Sequence, residues 1–87
     1  MKGWSVYMLR CGDGTLYTGI AVDLEKRLEA HRCGVAAKYT RSRLPVTLAY
    51  EEIQADRSSA QKREAALRRL GRAGKLALLD QGHEPAS

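Results

Sequence analysis

Apolar side chains in this sequence fall into three short strand-like runs and two longer stretches with helical spacing. Trp4 to Arg10 is rich in aromatic and β-preferring residues and reads as a strand. Cys11-Gly12-Asp13-Gly14 follows as a turn signal, and Thr15 to Ala21 completes an N-terminal hairpin. Asp23 is a good N-cap for a helix running to about Cys33, with Gly34 as its stop. Val35 to Pro45 is a basic connection with room for a short helical turn, and Val46 to Ile53 reads as a third strand. Ser58 or Ser59 can cap a second helix that ends near Leu70 and breaks at Gly71. Ala73 to Leu79 predicts a short terminal helix, and Gln81 to Ser87 a frayed tail. The order β-β-α-β-α-α predicts an α+β fold, a small three-stranded antiparallel sheet flanked by helices. Residues 1–80 are expected to form one domain, without internal repeats.

Several polar residues occupy positions where this pattern asks for apolar ones. A helix advances about 100° per residue, so Arg27 and His31 fall beside Leu24 and Leu28 on the inward stripe. They read either as a snorkelling arginine and a satisfied core histidine, or as functional groups at the edge of the core. Glu64 shares a face with Ala60 and Leu67 and is the only acid between Arg57 and Lys75. A part-buried carboxylate needs a partner. An ion pair with Arg27 would serve, and so would a Mg²⁺ ion, which needs only one carboxylate besides water and substrate oxygens. In the hairpin, an even-sum register puts Tyr7, Tyr17 and Gly19 on one face of the sheet. Glycine inside a strand often marks a close approach by a ligand or another backbone. Two phenols, an arginine, a histidine and a carboxylate against one sheet could perform metal-assisted phosphodiester hydrolysis.

Composition narrows the reading. A chain of 87 residues buries a modest core, so a shallow site on one face is expected, not a deep cofactor pocket. No apolar run approaches the roughly 20 residues that span a bilayer, and no signal-peptide pattern opens the chain. A cytoplasmic protein without membrane attachment is expected. Cys11 and Cys33 lack zinc-site spacing and are expected to be free thiols. The net charge of +5 is unevenly placed: Lys38 to Lys75 holds ten basic residues against four acids. That asymmetry suits a polyanion, although a solvated basic helix face would look the same.

The residues also resemble a known family. Ser5-Val6-Tyr7, followed ten residues later by Tyr17-Thr18-Gly19, resembles the paired tripeptides of the GIY-YIG nuclease superfamily. Asp23 to Leu28 with His31 resembles that family's first helix, carrying a catalytic arginine and a following histidine. Glu64, within Lys62-Arg63-Glu64, is similar to its metal-binding glutamate. Ala37 to Arg41 and Arg43 to Val46 look closer still to small stand-alone bacterial members. Ser5, Val6 and Thr18 depart from the tripeptides but spare both tyrosines and Gly19.

The resemblance, which runs from about Trp4 to Leu79, implies a divalent-metal-dependent endonuclease with Tyr7, Tyr17, Arg27, His31 and Glu64 as catalytic residues. Glu64 would hold one Mg²⁺ or Mn²⁺ ion that polarises the scissile phosphate and stabilises the leaving 3′-oxygen. Tyr7 would be the general base, Tyr17 would orient water or phosphate, and Arg27 would neutralise phosphoryl charge. His31 would relay a proton from the tyrosine or donate to the phosphate. Gly19, Lys38, Tyr39, Arg41, Arg68, Arg69 and Arg72 would meet nucleic acid, with DNA as the expected substrate. In 87 residues no separate recognition domain is expected. Structure- or end-selective cleavage with little sequence specificity is therefore expected, in repair or recombination, with a protein partner as one source of specificity. The alternatives are a nucleic-acid-binding module with little or no cleavage, and an interaction subunit that needs a partner for activity.

Overall fold

The computed structural model describes residues 3–80, so the tail expected at 81–87 lies outside the described residues. Its elements are β1 (Trp4–Arg10), β2 (Leu16–Ala21), α1 (Leu24–Arg32), α2 (Lys38–Arg41), β3 (Thr47–Gln54), α3 (Arg57–Arg69) and α4 (Gly71–Asp80). The strands form one antiparallel sheet in the order β2-β1-β3. The architecture is α+β, as expected. Among the described residues no helix is long and apolar enough to cross a membrane.

Local chemistry sets the boundaries. β2 starts at Leu16 because Thr15 turns both its amide (3.1 Å) and its hydroxyl (2.6 Å) to Asp13 Oδ1, closing the hairpin turn. Asp23 caps α1 by accepting from the Lys26 amide at 3.2 Å. The helix ends where Gly34 takes φ of 78°, in the left-handed region, and its amide donates to the His31 carbonyl at 3.0 Å. The cap of α3 is Asp56, not Ser58 or Ser59. Its carboxylate accepts from the Ser59 amide at 2.8 Å, which makes Ser59 a donor to the cap. Gly71 opens α4 directly after Leu70 instead of separating two helices by a loop.

The sheet is packed on both faces. Val6, Met8, Tyr50, Ala60 and Leu67 form one core against α3, with Trp4, Ile20, Leu78 and Leu79 around it. Tyr7, Leu9, Cys11, Ala21 and Val46 form a second core with Tyr17, Leu24, Leu28 and Leu48, under α1. Burying an aliphatic side chain completely stabilises by roughly 1.5–3 kcal/mol, so central β1 anchors both layers through Val6, Met8 and Leu9. Pairing of β1 with β3 slips by one between Met8–Tyr50 and Leu9–Leu48, leaving Ala49 as an extra residue in a β-bulge. Leu48 and Tyr50, two apart in sequence, consequently enter opposite cores.

Strand β2 lies at one edge of the sheet, where a row of backbone groups would be unpaired. Three cations from the last two helices close part of it. Arg68 donates to the Thr18 carbonyl at 3.2 Å, Lys75 to that of Leu16 at 3.5 Å and Arg72 to that of Gly14 at 2.6 Å.

Candidate active site

The hairpin register brings the two tyrosines together. Tyr7 faces Gly19 across β1 and β2, and Leu9 faces Tyr17, so Tyr7, Tyr17 and Gly19 share a sheet face as expected. A Cβ on residue 19 would lie 2.7 Å from Tyr7 Oη and 2.8 Å from Cζ. Only a residue without a side chain admits the phenol over this strand. The Tyr7 and Tyr17 ring centroids are 6.5 Å apart. Tyr7 is fully buried, and Tyr17 is half-buried.

Helix α1 delivers the next two groups. Leu24 and Leu28 pack on the core around Tyr7, which places His31, one turn beyond Leu28, inside it at 0% exposure. His31 Nε2 lies 2.9 Å from Tyr7 Oη, and its Nδ1 lies 2.8 Å from the hydroxyl of Thr40 on α2. Its ring stands edge-on to both tyrosines. Arg27 is exposed, with its charge beside Tyr7. Burial pushes the Tyr7 phenol well above its ordinary range, Tyr17 adds to this, and Arg27 opposes it. Burial, and then the Arg27 charge, hold His31 below the usual histidine range. At neutral pH the pair is a protonated phenol and an uncharged imidazole.

Glu64 comes from α3. Its ion pair is with Arg68, at 3.0 Å, not with Arg27, the partner expected if the carboxylate were purely structural. The i,i+4 spacing on one helix makes Arg68 the nearer cation. The carboxylate is 20% exposed, and its charge reaches Tyr7, pushing the phenol upward along with burial. Among the described residues no group of three or more His, Cys, Asp and Glu is placed to hold a metal. The set suits a hard divalent ion held by one carboxylate, water and substrate oxygens. Cys11 is buried and Cys33 exposed, both free.

Of the expected nucleic-acid contacts, Gly19 lies under Tyr7, and Tyr39 stacks its ring on Tyr17 at 5.8 Å between centroids. Arg43, which carries no signal in the sequence pattern, holds it there. The Arg43 guanidinium sits 4.0 Å over the Tyr39 ring and pairs with Asp13 at 3.0 Å in the hairpin turn. Lys38 and Arg41 stand exposed on the same short helix. Tyr17, Thr18, Tyr39, Arg68 and Lys75 line a groove along β2, which continues past Tyr39 to Arg72. Arg68 and Arg72 face this edge, while Arg69 stands exposed. A larger hollow of about 380 Å³, lined by Asp23, Glu25 and Glu51, has the wrong charge for phosphate.

Two further polar residues lie in or beside this set without a signal in the sequence pattern. Thr40 is fully buried behind His31. Thr18, between Tyr17 and Gly19, is 3% exposed, and its hydroxyl is buried with no hydrogen-bond partner among the described residues.

Comparison with known proteins places the chain in a family. The GIY-YIG catalytic domain model matches residues 3–77. A UPF0213 protein of Syntrophus aciditrophicus is 49% identical over 80 residues, covering 91% of this chain and 92% of that one. A UPF0213 protein of Streptococcus sanguinis is 46% identical over 76 residues, or 87% of each chain. The solution NMR structure of a UPF0213 protein from Bacillus halodurans superposes with a TM-score of 0.61 at 34% identity, covering 94% of this chain and 87% of that one. That of an E. faecalis protein gives 0.62 at 37% identity, over 93% and 90%. With nearly its whole length matched, the chain belongs to the GIY-YIG catalytic-domain family, whose domain implies nuclease activity on nucleic acid.

Proposed function

We propose that this protein is a divalent-metal-dependent endonuclease that hydrolyses phosphodiester bonds in DNA. It would select structures or ends, with little sequence specificity. The observation that carries this reading is the 2.9 Å contact between Tyr7 and His31, inside a set that also holds Tyr17, Arg27 and Glu64. A binder has no use for a phenol paired with a neutral imidazole beside a carboxylate. Tyr7 takes a proton from the attacking water, which reaches it from the side of the partly exposed Tyr17 and the exposed Arg27. Because burial keeps the phenol protonated, it can accept only while passing its own proton on. Arg27 stabilises charge on the phosphoryl oxygens, and Tyr17 orients water or phosphate. Glu64 would hold one Mg²⁺ or Mn²⁺ ion, which when bound supplies charge neutralisation at the scissile phosphate.

The groove along β2 suits the flanking strand. Tyr39 offers an aromatic surface there, and Lys38, Arg41, Arg68, Arg69, Arg72 and Lys75 offer cations for the backbone. A cytoplasmic setting in repair or recombination fits such an enzyme, with a protein partner adding specificity. The complete burial of Tyr7 favours a second reading, a nucleic-acid-binding module whose phenol is a core residue. One experiment separates them. Branched, nicked and single-stranded DNA and RNA are incubated with the protein in Mg²⁺, Mn²⁺ or EDTA, alongside Glu64→Gln. The nuclease reading expects cleavage that EDTA and Glu64→Gln abolish, with folding and DNA binding retained. Binding without cleavage under every condition supports the module. Wild-type cleavage by Glu64→Gln removes the carboxylate from the mechanism, and an unfolded variant makes Glu64 structural.

A further inference from the structure

We infer that Thr40 is a positioning residue that sets the tautomer of His31, leaving Nε2 as the acceptor for the Tyr7 proton. The Thr40 hydroxyl lies 2.8 Å from His31 Nδ1 and donates to the Ala37 carbonyl at 3.2 Å. A carbonyl oxygen has no proton to give, so the single hydroxyl proton of Thr40 is committed to Ala37. Toward the ring, Thr40 can then only accept, which requires a proton on Nδ1. A neutral imidazole carries one ring proton, so Nε2 is bare and faces Tyr7 Oη at 2.9 Å. Both His31 and Thr40 are 0% exposed, so water does not compete for these contacts.

The short helix α2 makes the arrangement possible. Ala37 is its N-cap, and the backbone turn that joins the Arg41 amide to the Ala37 carbonyl (3.0 Å) also aims the Thr40 side chain back at that carbonyl. α2 therefore plays toward His31 the part a carboxylate plays toward the histidine of a hydrolytic triad, without bringing a charge.

Combined with the nuclease reading, on which this step rests, the proton path is complete. The attacking water gives a proton to Tyr7 Oη as its oxygen bonds to phosphorus. Tyr7 gives its own proton to His31 Nε2, and the bond to the leaving oxygen breaks. The imidazolium keeps Nδ1–H on Thr40 and later returns the Nε2 proton to Tyr7 Oη as Tyr7 passes its own to solvent, while the leaving oxygen takes one from solvent. Until Tyr7 protonates it, Nε2 has no proton to donate, so direct donation from the resting imidazole to the phosphate is excluded.

The test has a readout that does not depend on cleavage. The chain has two histidines, so a ¹⁵N-labelled His83→Ala background leaves His31 as the one ring to assign. Long-range ¹H–¹⁵N correlation near neutral pH should show a pyrrole-type Nδ1 and a pyridine-type Nε2. Thr40→Ser should keep that pattern and the wild-type rate. Thr40→Val should shift the ring toward the other tautomer and lower the single-turnover rate by roughly 10–100-fold, the range for groups that orient a functional histidine from behind. DNA affinity should be unchanged. A protonated Nε2 in the wild type overturns the assignment whatever the rates, and so does Thr40→Val with wild-type tautomer and rate. If Thr40→Val does not fold, the wild-type and Thr40→Ser spectra decide alone. A wild type that shows the expected tautomer and cleaves nothing supports the assignment of Thr40 while removing the nuclease reading.

Discussion

Gly19→Ala would add one methyl group at the point where β2 passes under Tyr7. The new carbon would lie 2.7 Å from Tyr7 Oη, 2.8 Å from Cζ and 3.2 Å from Tyr17 Cε2. Non-bonded carbons settle at about 3.5 Å, so the Tyr7 ring must withdraw by roughly 0.7 Å. It has no free space to enter, since it is 0% exposed and packed among Leu9, Cys11, Ala21 and Val46. Overpacking of this kind destabilises by about 1–3 kcal/mol. The 2.9 Å contact to His31 cannot survive a shift of that size without compensation, which adds about 1 kcal/mol. For a domain of this length, a combined loss of about 2–4 kcal/mol lowers Tm by roughly 10–30 °C. The cleavage rate should fall further than the stability, by about 10²–10⁴-fold, because the phenol leaves its proton acceptor. Thermal melts and single-turnover cleavage of one labelled duplex, run on Gly19→Ala, Tyr7→Phe and the double variant, measure both effects. Removing the hydroxyl relieves the 2.7 Å contact but not the one to Cζ, so the double variant should recover part of the lost stability and none of the rate. A Gly19→Ala protein that melts and cleaves like the wild type would refute the close-approach argument.

Thr18→Val keeps the shape of the side chain and removes a buried hydroxyl that has no hydrogen-bond partner among the described residues. It should raise stability by about 1 kcal/mol, read as a higher Tm, and a lower Tm would mean that the hydroxyl is satisfied after all. His31, held neutral by burial, makes stability fully present above its ordinary range near pH ~6.5, lost as pH falls through the depressed folded value. Tyr7, raised by burial, acts on the other limb, with stability falling as pH rises beyond about 10. Melts across pH should show both limbs, and an acid limb of the same size in His31→Gln would exclude the histidine. Charge reversal at exposed Arg69 should weaken binding to all sequences alike and lower the salt slope by about one, with Tm unchanged. Reversal at Arg72 should also lower Tm, because it opens the contact to Gly14, and equal melts for the two would show that this contact contributes nothing.

The parts of this fold that one strand or helix determines by its own period were legible in advance. Side-chain alternation and an even-sum hairpin put Tyr7, Tyr17 and Gly19 on one face, and helical spacing put His31 on the stripe of Leu24 and Leu28. What remained hidden depends on groups distant in sequence. Arg68 claims Glu64 because both lie on α3, but it stays there because the Thr18 carbonyl, fifty residues earlier, also accepts from it. Thr40 lies in a stretch with no periodic pattern, so its burial behind His31 follows only from how α2 packs. Asp56 caps α3 where two serines offered themselves, because its carboxylate is the acceptor that meets the Ser59 amide. The bulge was equally silent, since nothing about an alanine between Leu48 and Tyr50 announces it.

That bulge gives β3 one residue more than its pairing with β1 requires. Ala49 is half-buried, and its side chain belongs to neither core. Deleting it makes Leu48 and Tyr50 neighbours, which strict alternation sends to opposite faces, so each keeps its core and the pairing with β1 runs on without a break. Loss of any other residue within the strand, with the bulge kept, turns the side chains beyond it to the wrong face. Ala49 is thus the spare place in the count, the one position at which the strand can close up and still read the same.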